Sequence, residues 1–89
     1  MKIEHRQTNS LKPYQGNPRT IPDKAVEAVA RSIREFGFRQ PILIDGQDVI
    51  IAGHTRLQAA KRLGLETVPC IVAADLTDEQ VRALRLADN

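Results

Sequence analysis

Three glycines punctuate the middle of this chain, and each stands where an apolar run ends. Gly37 follows Val26, Val29, Ala30, Ile33 and Phe36, Gly53 follows Val49-Ile50-Ile51-Ala52, and Gly64 follows Leu57, Ala60 and Leu63. The first and third runs have helical spacing, whereas the second is continuous, as a buried strand is. A glycine after a helical run closes the helix by adopting the left-handed conformation that a C-terminal cap needs. A glycine between a strand and a helical run turns the chain sharply from sheet to helix. This punctuation restricts the chain to short strands alternating with helices of a few turns.

The remaining elements fall around these points. Ile3–His5 reads as a short edge strand. Residues 9–22 contain Asn9, Ser10, Pro13, Gly16, Asn17, Pro18 and Pro22 and read as an ordered loop. Asp23, just after Pro22, caps or opens the first helix. Pro41-Ile42-Leu43-Ile44 suits a buried strand, Asp45-Gly46 a turn, and Val49–Ala52 the returning strand. Thr67–Val72 reads as a third main strand, and Pro69 places it at an edge or a bulge. Thr77 with Gln80 forms a capping box for a last helix carrying Val81, Leu84 and Ala87. The expected fold is α+β: a short mixed sheet with three main helices.

At 89 residues the chain fits one domain. A domain of this size buries only about two-thirds of its unfolded surface. The three aromatics are Tyr14, Phe36 and Phe38, so the core must be aliphatic. Their scarcity also counts against a stacking platform for single-stranded nucleic acid. Cys70 is the only cysteine, which excludes an internal disulfide and suits a reducing, cytoplasmic setting. No apolar run approaches the roughly 20 residues that span a bilayer, and Met1–Arg6 lacks the hydrophobic stretch of a signal peptide. No membrane partner is expected.

The net charge of +2 is too small to announce a nucleic-acid binder, but it is unevenly distributed. Residues 1–40 carry eight basic and four acidic side chains, and residues 41–89 five and seven, so the first part is net +4 and the second −2. A basic half attracts phosphate or nucleic acid, although a solvated helix face has the same composition. Arg31, Arg34, Arg39, Lys61 and Arg62 are the candidate DNA-facing residues.

Four constellations bear on chemistry. In Ile51-Ala52-Gly53-His54-Thr55-Arg56, a glycine precedes a helix N-terminus, whose unpaired N–H groups and partial positive charge make an anion site. Thr55 adds a hydroxyl, Arg56 a forked donor, and His54 a donor or proton-transfer group. A tight turn with a routine cap and a surface arginine would read the same way. Gly37-Phe38-Arg39-Gln40-Pro41 is a short, stiff connector whose amides and Gln40 can read a base edge; alone it is an ordinary link. Arg19, after the rigid Asn17-Pro18 pair, can reach a phosphate. Asp88-Asn89 offers oxygen ligands of the kind Mg²⁺ takes. His5, His54 and the distant Cys70 do not make a zinc site.

In order along the chain, these pieces resemble the ParB N-terminal domain of the ParB/sulfiredoxin superfamily, over about Leu11 to Asn89. Asn17-Pro18-Arg19 resembles the family's opening, and Ser32-Ile33 with Gly37 its "S-I-x-x-x-G" helix end. Gly37, Phe38, Gln40 and Pro41 fit the "G-x-x-Q-P" box that surrounds the cytosine of CTP in ParB proteins. Gly53-His54-Thr55-Arg56 stands where ParB has the triphosphate box "G-E-R-R", and Asp88-Asn89 where it has "E-N". The resemblance implies a nucleoside triphosphate, CTP or ATP, with Mg²⁺ brought by the nucleotide near Asn89. It also implies DNA as a partner through a longer parent protein, and homodimerisation.

The departures bear on activity. His54 replaces the family glutamate and Thr55 its first arginine, which removes a positive charge. Asp88 is one methylene shorter than the glutamate implicated in hydrolysis, so catalytic residues stay unassigned, with Asp88 and His54 as candidates. The turn holds no cysteine where sulfiredoxins place theirs, which counts against sulfinic acid reduction. "I-A-G-H-T-R-L" followed by "L-A-D-N" resembles ParB-like domains of phage and methyltransferase-linked proteins. The chain is therefore expected to be a single domain, residues 1–89, of a longer protein. Three functions fit: a nucleotide-binding switch with weak NTPase activity, a DNA-binding or nuclease-like module without turnover, and a dimerisation module of a DNA-modifying protein.

Overall fold

Ile42, Ile44, Ile50, Ile51, Leu57, Val68 and Cys70 are fully buried, and they set how the elements of this computed structural model come together. The structure describes residues 2–15 and 20–88. The elements are β1 (Ile3–Gln7), α1 (Asp23–Phe36), β2 (Ile42–Ile44), β3 (Ile50–Ala52), α2 (His54–Leu63), β4 (Thr67–Val72) and α3 (Asp78–Asp88), with a single 3-10 turn at Thr8–Ser10. This is the mixed α+β arrangement, in the element order, that the apolar patterning predicts.

The four strands form one sheet in the order β1-β4-β2-β3. β1 runs antiparallel to β4, β4 parallel to β2, and β2 antiparallel to β3. One face of the sheet packs Ile42, Ile44, Ile50, Val68 and Cys70 against Leu57 and Ala60 of α2. The other face packs Ile51 and Leu43 against Val81 of α3. Helix α1 does not lie on the sheet: Val26 and Ala30 pack on Ala59 of α2. The order of layers is therefore α3, sheet, α2, α1. Each fully buried aliphatic side chain contributes about 1.5–3 kcal/mol.

Four local expectations need correction. β4 is a central strand, whereas Pro69 pointed to an edge or a bulge. The reason lies in the ladder. Thr8 N–H donates to Glu66 O (2.8 Å), and this alternation makes His5↔Pro69 a pair without mutual hydrogen bonds. The Pro69 nitrogen thus faces β2, whose register with β4 starts only at Ile42↔Cys70. Gly37 ends α1 with φ +83° but ψ 174°, a positive-φ conformation that favours glycine but is not the left-handed helical cap; its N–H still donates to Ile33 O (2.8 Å). Phe36 is 61% exposed, so the apolar stripe of α1 stops at Ile33. Among the described side chains of α3 only Val81 is buried, while Leu84 and Ala87 face outward.

Other expectations hold. Gly64 caps α2 in the left-handed conformation (φ +71°, ψ 27°). Thr77 and Gln80 cap α3 reciprocally, Thr77 N–H donating to Gln80 Oε1 (2.9 Å) and Gln80 N–H to Thr77 Oγ1 (3.1 Å). The β2–β3 turn is held by Asp45, whose Oδ1 accepts from the N–H groups of Gln47 (2.8 Å) and Val49 (3.0 Å).

Candidate functional site

The chain leaves β3 at Ala52 and enters α2 at His54, with Gly53 between them. Gly53 is buried and adopts φ +113°, ψ 26°, a conformation that disfavours any side chain. A Cβ there would lie 3.2 Å from Arg56 Nη1 and 3.3 Å from Ile42. No side chain caps α2. The first N–H groups of any α-helix have no intrahelical acceptor, so such an end suits an anion.

That helix end opens onto a cleft of about 580 Å³, within the usual range of small-molecule sites. Two stretches distant in sequence meet in it: Gly37–Gln40 after α1, and Gly53–Arg56 at the start of α2. The wall supplied by α1 consists of Ala28, Val29, Ser32 and Ile33. Sequence reasoning missed this wall. Its signal was the run of small and aliphatic residues on the α1 face nearest Gly37.

Arg56 links the two stretches. Its Nη1 donates to Pro41 O (2.6 Å) and, at longer range, to Gln40 O (3.4 Å). His54 is engaged on the opposite side: its Nε2 accepts from Tyr14 N–H (3.2 Å). The Tyr14 ring in turn stacks on Arg85 of α3, 4.2 Å from Cζ to centroid. Arg85 also donates to Ile50 O (3.2 Å) and pairs with Asp45 Oδ2 (3.3 Å). Helix α3 and the N-terminal loop are thereby tied to the edge of the cleft.

Phe38 packs on the main core beside the cleft, and Pro41 is half-buried at the start of β2. Arg19 and Asn89 lie outside the described residues, as does the side chain of Asp88. The candidate DNA-facing residues are not gathered together. Arg62 pairs with Asp23, which sets the end of α2 beside the start of α1. Arg34 stands eleven residues further along α1, about 16 Å at 1.5 Å per residue. Arg39 folds back to donate to Phe36 O (2.8 Å). Arg31, Arg34 and Arg39 thus belong to the far half of the helix pair from Lys61 and Arg62. Among the described residues no three His, Cys, Asp or Glu side chains converge in a metal-holding group. No helix among them is long and apolar enough to cross a membrane.

The mixed α+β fold is the one the ParB resemblance implies, and comparison with known proteins bears out the family. The ParB N-terminal domain model matches residues 1–89. The chain belongs to the ParB N-terminal domain family. It is 45% identical over 80 residues to the ParB-like nuclease domain-containing protein YnaK of Escherichia coli (strain K12), covering 90% of this chain and 92% of that protein. It is 41% identical over 85 residues to the probable chromosome 2-partitioning protein ParB of Deinococcus radiodurans, covering 91% of this chain but 29% of that protein. The C-terminally truncated ParB of Caulobacter crescentus complexed with CTP-gamma-S superposes with a TM-score of 0.84 at 33% identity. That match covers all of this chain and 53% of the other. The same Caulobacter protein complexed to the centromeric parS site gives a TM-score of 0.78 at 29% identity.

Proposed function

We propose that this domain binds a nucleoside triphosphate in the cleft between α1 and the start of α2, and that it serves as the nucleotide-responsive part of a DNA-associated protein. The observation that carries the reading is the convergence of Gly37–Gln40 and Gly53–Arg56 on one cleft, bridged by Arg56. In this reading the base lies against Gly37, Phe38, Gln40 and Pro41. The phosphates lie at the uncapped end of α2, on the amides of Gly53–Arg56 and the hydroxyl of Thr55. Gly53 fits this role because its positive φ turns the chain from β3 into α2, and because a Cβ there would press on Ile42 and on the guanidinium of Arg56. Arg19 assists from the N-terminal loop. Asn89 is the residue that would hold Mg²⁺ brought with the nucleotide, and the ion would supply neutralisation of the phosphate charge.

The likeness to a ParB bound to CTP-gamma-S supports the site, and the likeness to the same ParB on parS supports a parent protein acting at DNA. His54 in place of the family glutamate argues for binding with slow turnover or none, since a ring whose Nε2 accepts from Tyr14 does not replace a carboxylate. Dimerisation and linkage to a DNA-modifying enzyme belong to the parent protein in this reading.

Isothermal calorimetry with CTP, ATP and GTP in the presence of Mg²⁺ tests the proposal. Saturable binding of at least one of them is expected, with a loss of about tenfold or more in Arg56→Ala, as removal of a charged hydrogen-bond donor entails. Absence of binding to all three, or unchanged affinity in the variant, would overturn it.

A further inference from the structure

The arginine of the phosphate-side box is held by the base-side box. Arg56 Nη1 has two N–H bonds, and they point to the adjacent carbonyls of Gln40 and Pro41. Its Nε and Nη2 supply three further donors.

The need for that contact arises in the sheet. Ala73 N–H donates to Ile44 O (2.8 Å) in the parallel ladder of β4 with β2. That register begins at Ile42↔Cys70, so Gln40 and Pro41 lie ahead of the paired residues. Position 69 is proline, which has no N–H to give. The parallel ladder therefore does not extend to the Gln40 and Pro41 carbonyls, and Arg56 reaches them from α2. Between Gly37, which is tied back to Ile33, and the first ladder residue Ile42, the segment is held by the packing of Phe38, the return of Arg39 to Phe36 O and the fork of Arg56.

We propose that Arg56 is a positioning residue for base recognition: one edge of its guanidinium fixes the Gln40–Pro41 backbone, while the other edge faces the phosphates. The inference rests on the nucleotide reading above and adds to it. Discrimination between bases depends on a residue of the phosphate-side box. A lysine at this position keeps the charge but loses the planar fork that spans two carbonyls.

The test combines two measurements on wild type, Arg56→Lys and Arg56→Ala. The first is amide hydrogen exchange without nucleotide, with the β1–β4 amides as the internal standard for folding. Exchange at Ile42–Ile44, the ladder residues into which this segment leads, is expected to rise by about tenfold in both variants, as loss of the charge-assisted anchor beside them implies, while the β1–β4 ladder stays protected. The second is affinity for CTP, ATP, GTP and UTP, with inorganic tripolyphosphate as the base-free probe. In Arg56→Lys, tripolyphosphate affinity reads the phosphate contact that goes with the guanidinium, and the loss seen there is expected to be shared by all four nucleotides. The ratio of tightest to weakest nucleotide should meanwhile collapse toward one. Unchanged exchange in both variants overturns the proposal, and so does discrimination retained in Arg56→Lys or absent from wild type. A wild type that binds no nucleotide and no tripolyphosphate refutes the nucleotide reading and, with it, the role in base discrimination. The exchange arm then still decides whether Arg56 holds the segment.

Discussion

The backbone N–H of Tyr14 donates to Nε2 of His54 (3.2 Å), joining the N-terminal loop to the first residue of α2 across 40 residues of chain. The ring is therefore structural as well as adjacent to the cleft. His54→Ala should cost about 1 kcal/mol, the usual net value of one such bond, and should speed exchange of the Tyr14 amide. Glutamine carries an oxygen that can reach the Nε2 position, so His54→Gln should retain most of both. Urea denaturation with amide exchange on the two variants checks this; equal losses would show that the acceptor atom is not what matters.

Gly53 and Gly64 both have positive φ, yet they should not be equally replaceable. At Gly64 an added Cβ meets nothing within 4 Å, so Gly64→Ala should cost only the left-handed conformation, about 1–2 kcal/mol. At Gly53 the same atom also presses on Ile42 and Arg56. Gly53→Ala should therefore lose about 1–3 kcal/mol more, the usual cost of overpacking. Thermal melts of the two variants give the comparison directly.

Asp45 should make stability depend on acid pH. Partial burial by itself pushes its carboxyl up, but the N–H groups of Val49 and Gln47 and the guanidinium of Arg85 outweigh that and hold it below the ordinary range. A carboxyl lowered on folding contributes stability that is fully present above its unfolded pKa, about 3.9, and lost as pH falls through the folded value. Denaturation midpoints measured down through this range should show wild type losing its advantage over Asp45→Asn. A gap independent of pH would contradict the assignment.

The fold was legible where the determinants are local. Thr77 and Gln80 announce their reciprocal cap three residues apart, and Gly64 announces a left-handed stop. Strand order was less accessible, because Pro69 is excluded from most central strands and only the alternation of the β1 ladder reveals that its nitrogen faces a stretch where pairing has not begun. Phe36 continues the period of α1 but lies past the end of the helix it would pack on, so the stripe overshoots. At the site, the sequence patterns identified two of the stretches that line the cleft, Gly37–Gln40 and Gly53–Arg56, but not the wall supplied by α1. They did not reveal that Arg56 is bonded to backbone carbonyls, since a contact from side chain to main chain 15 residues away leaves no spacing signature. Nor did the count of basic residues show that Arg62 is committed to Asp23.

Pro69 has one more consequence, and it concerns slippage. Were β2 to slide two residues so that Ile42 lay opposite Val68, position 69 would have to donate to the Ile42 carbonyl, and it has nothing to donate. The slipped sheet would bury an unpaired carbonyl in its middle, at a cost of about 1–3 kcal/mol. The proline thus works as a stop against sliding in that direction. Because Gln40 and Pro41 lead directly into β2, the same stop sets the height at which they meet Arg56.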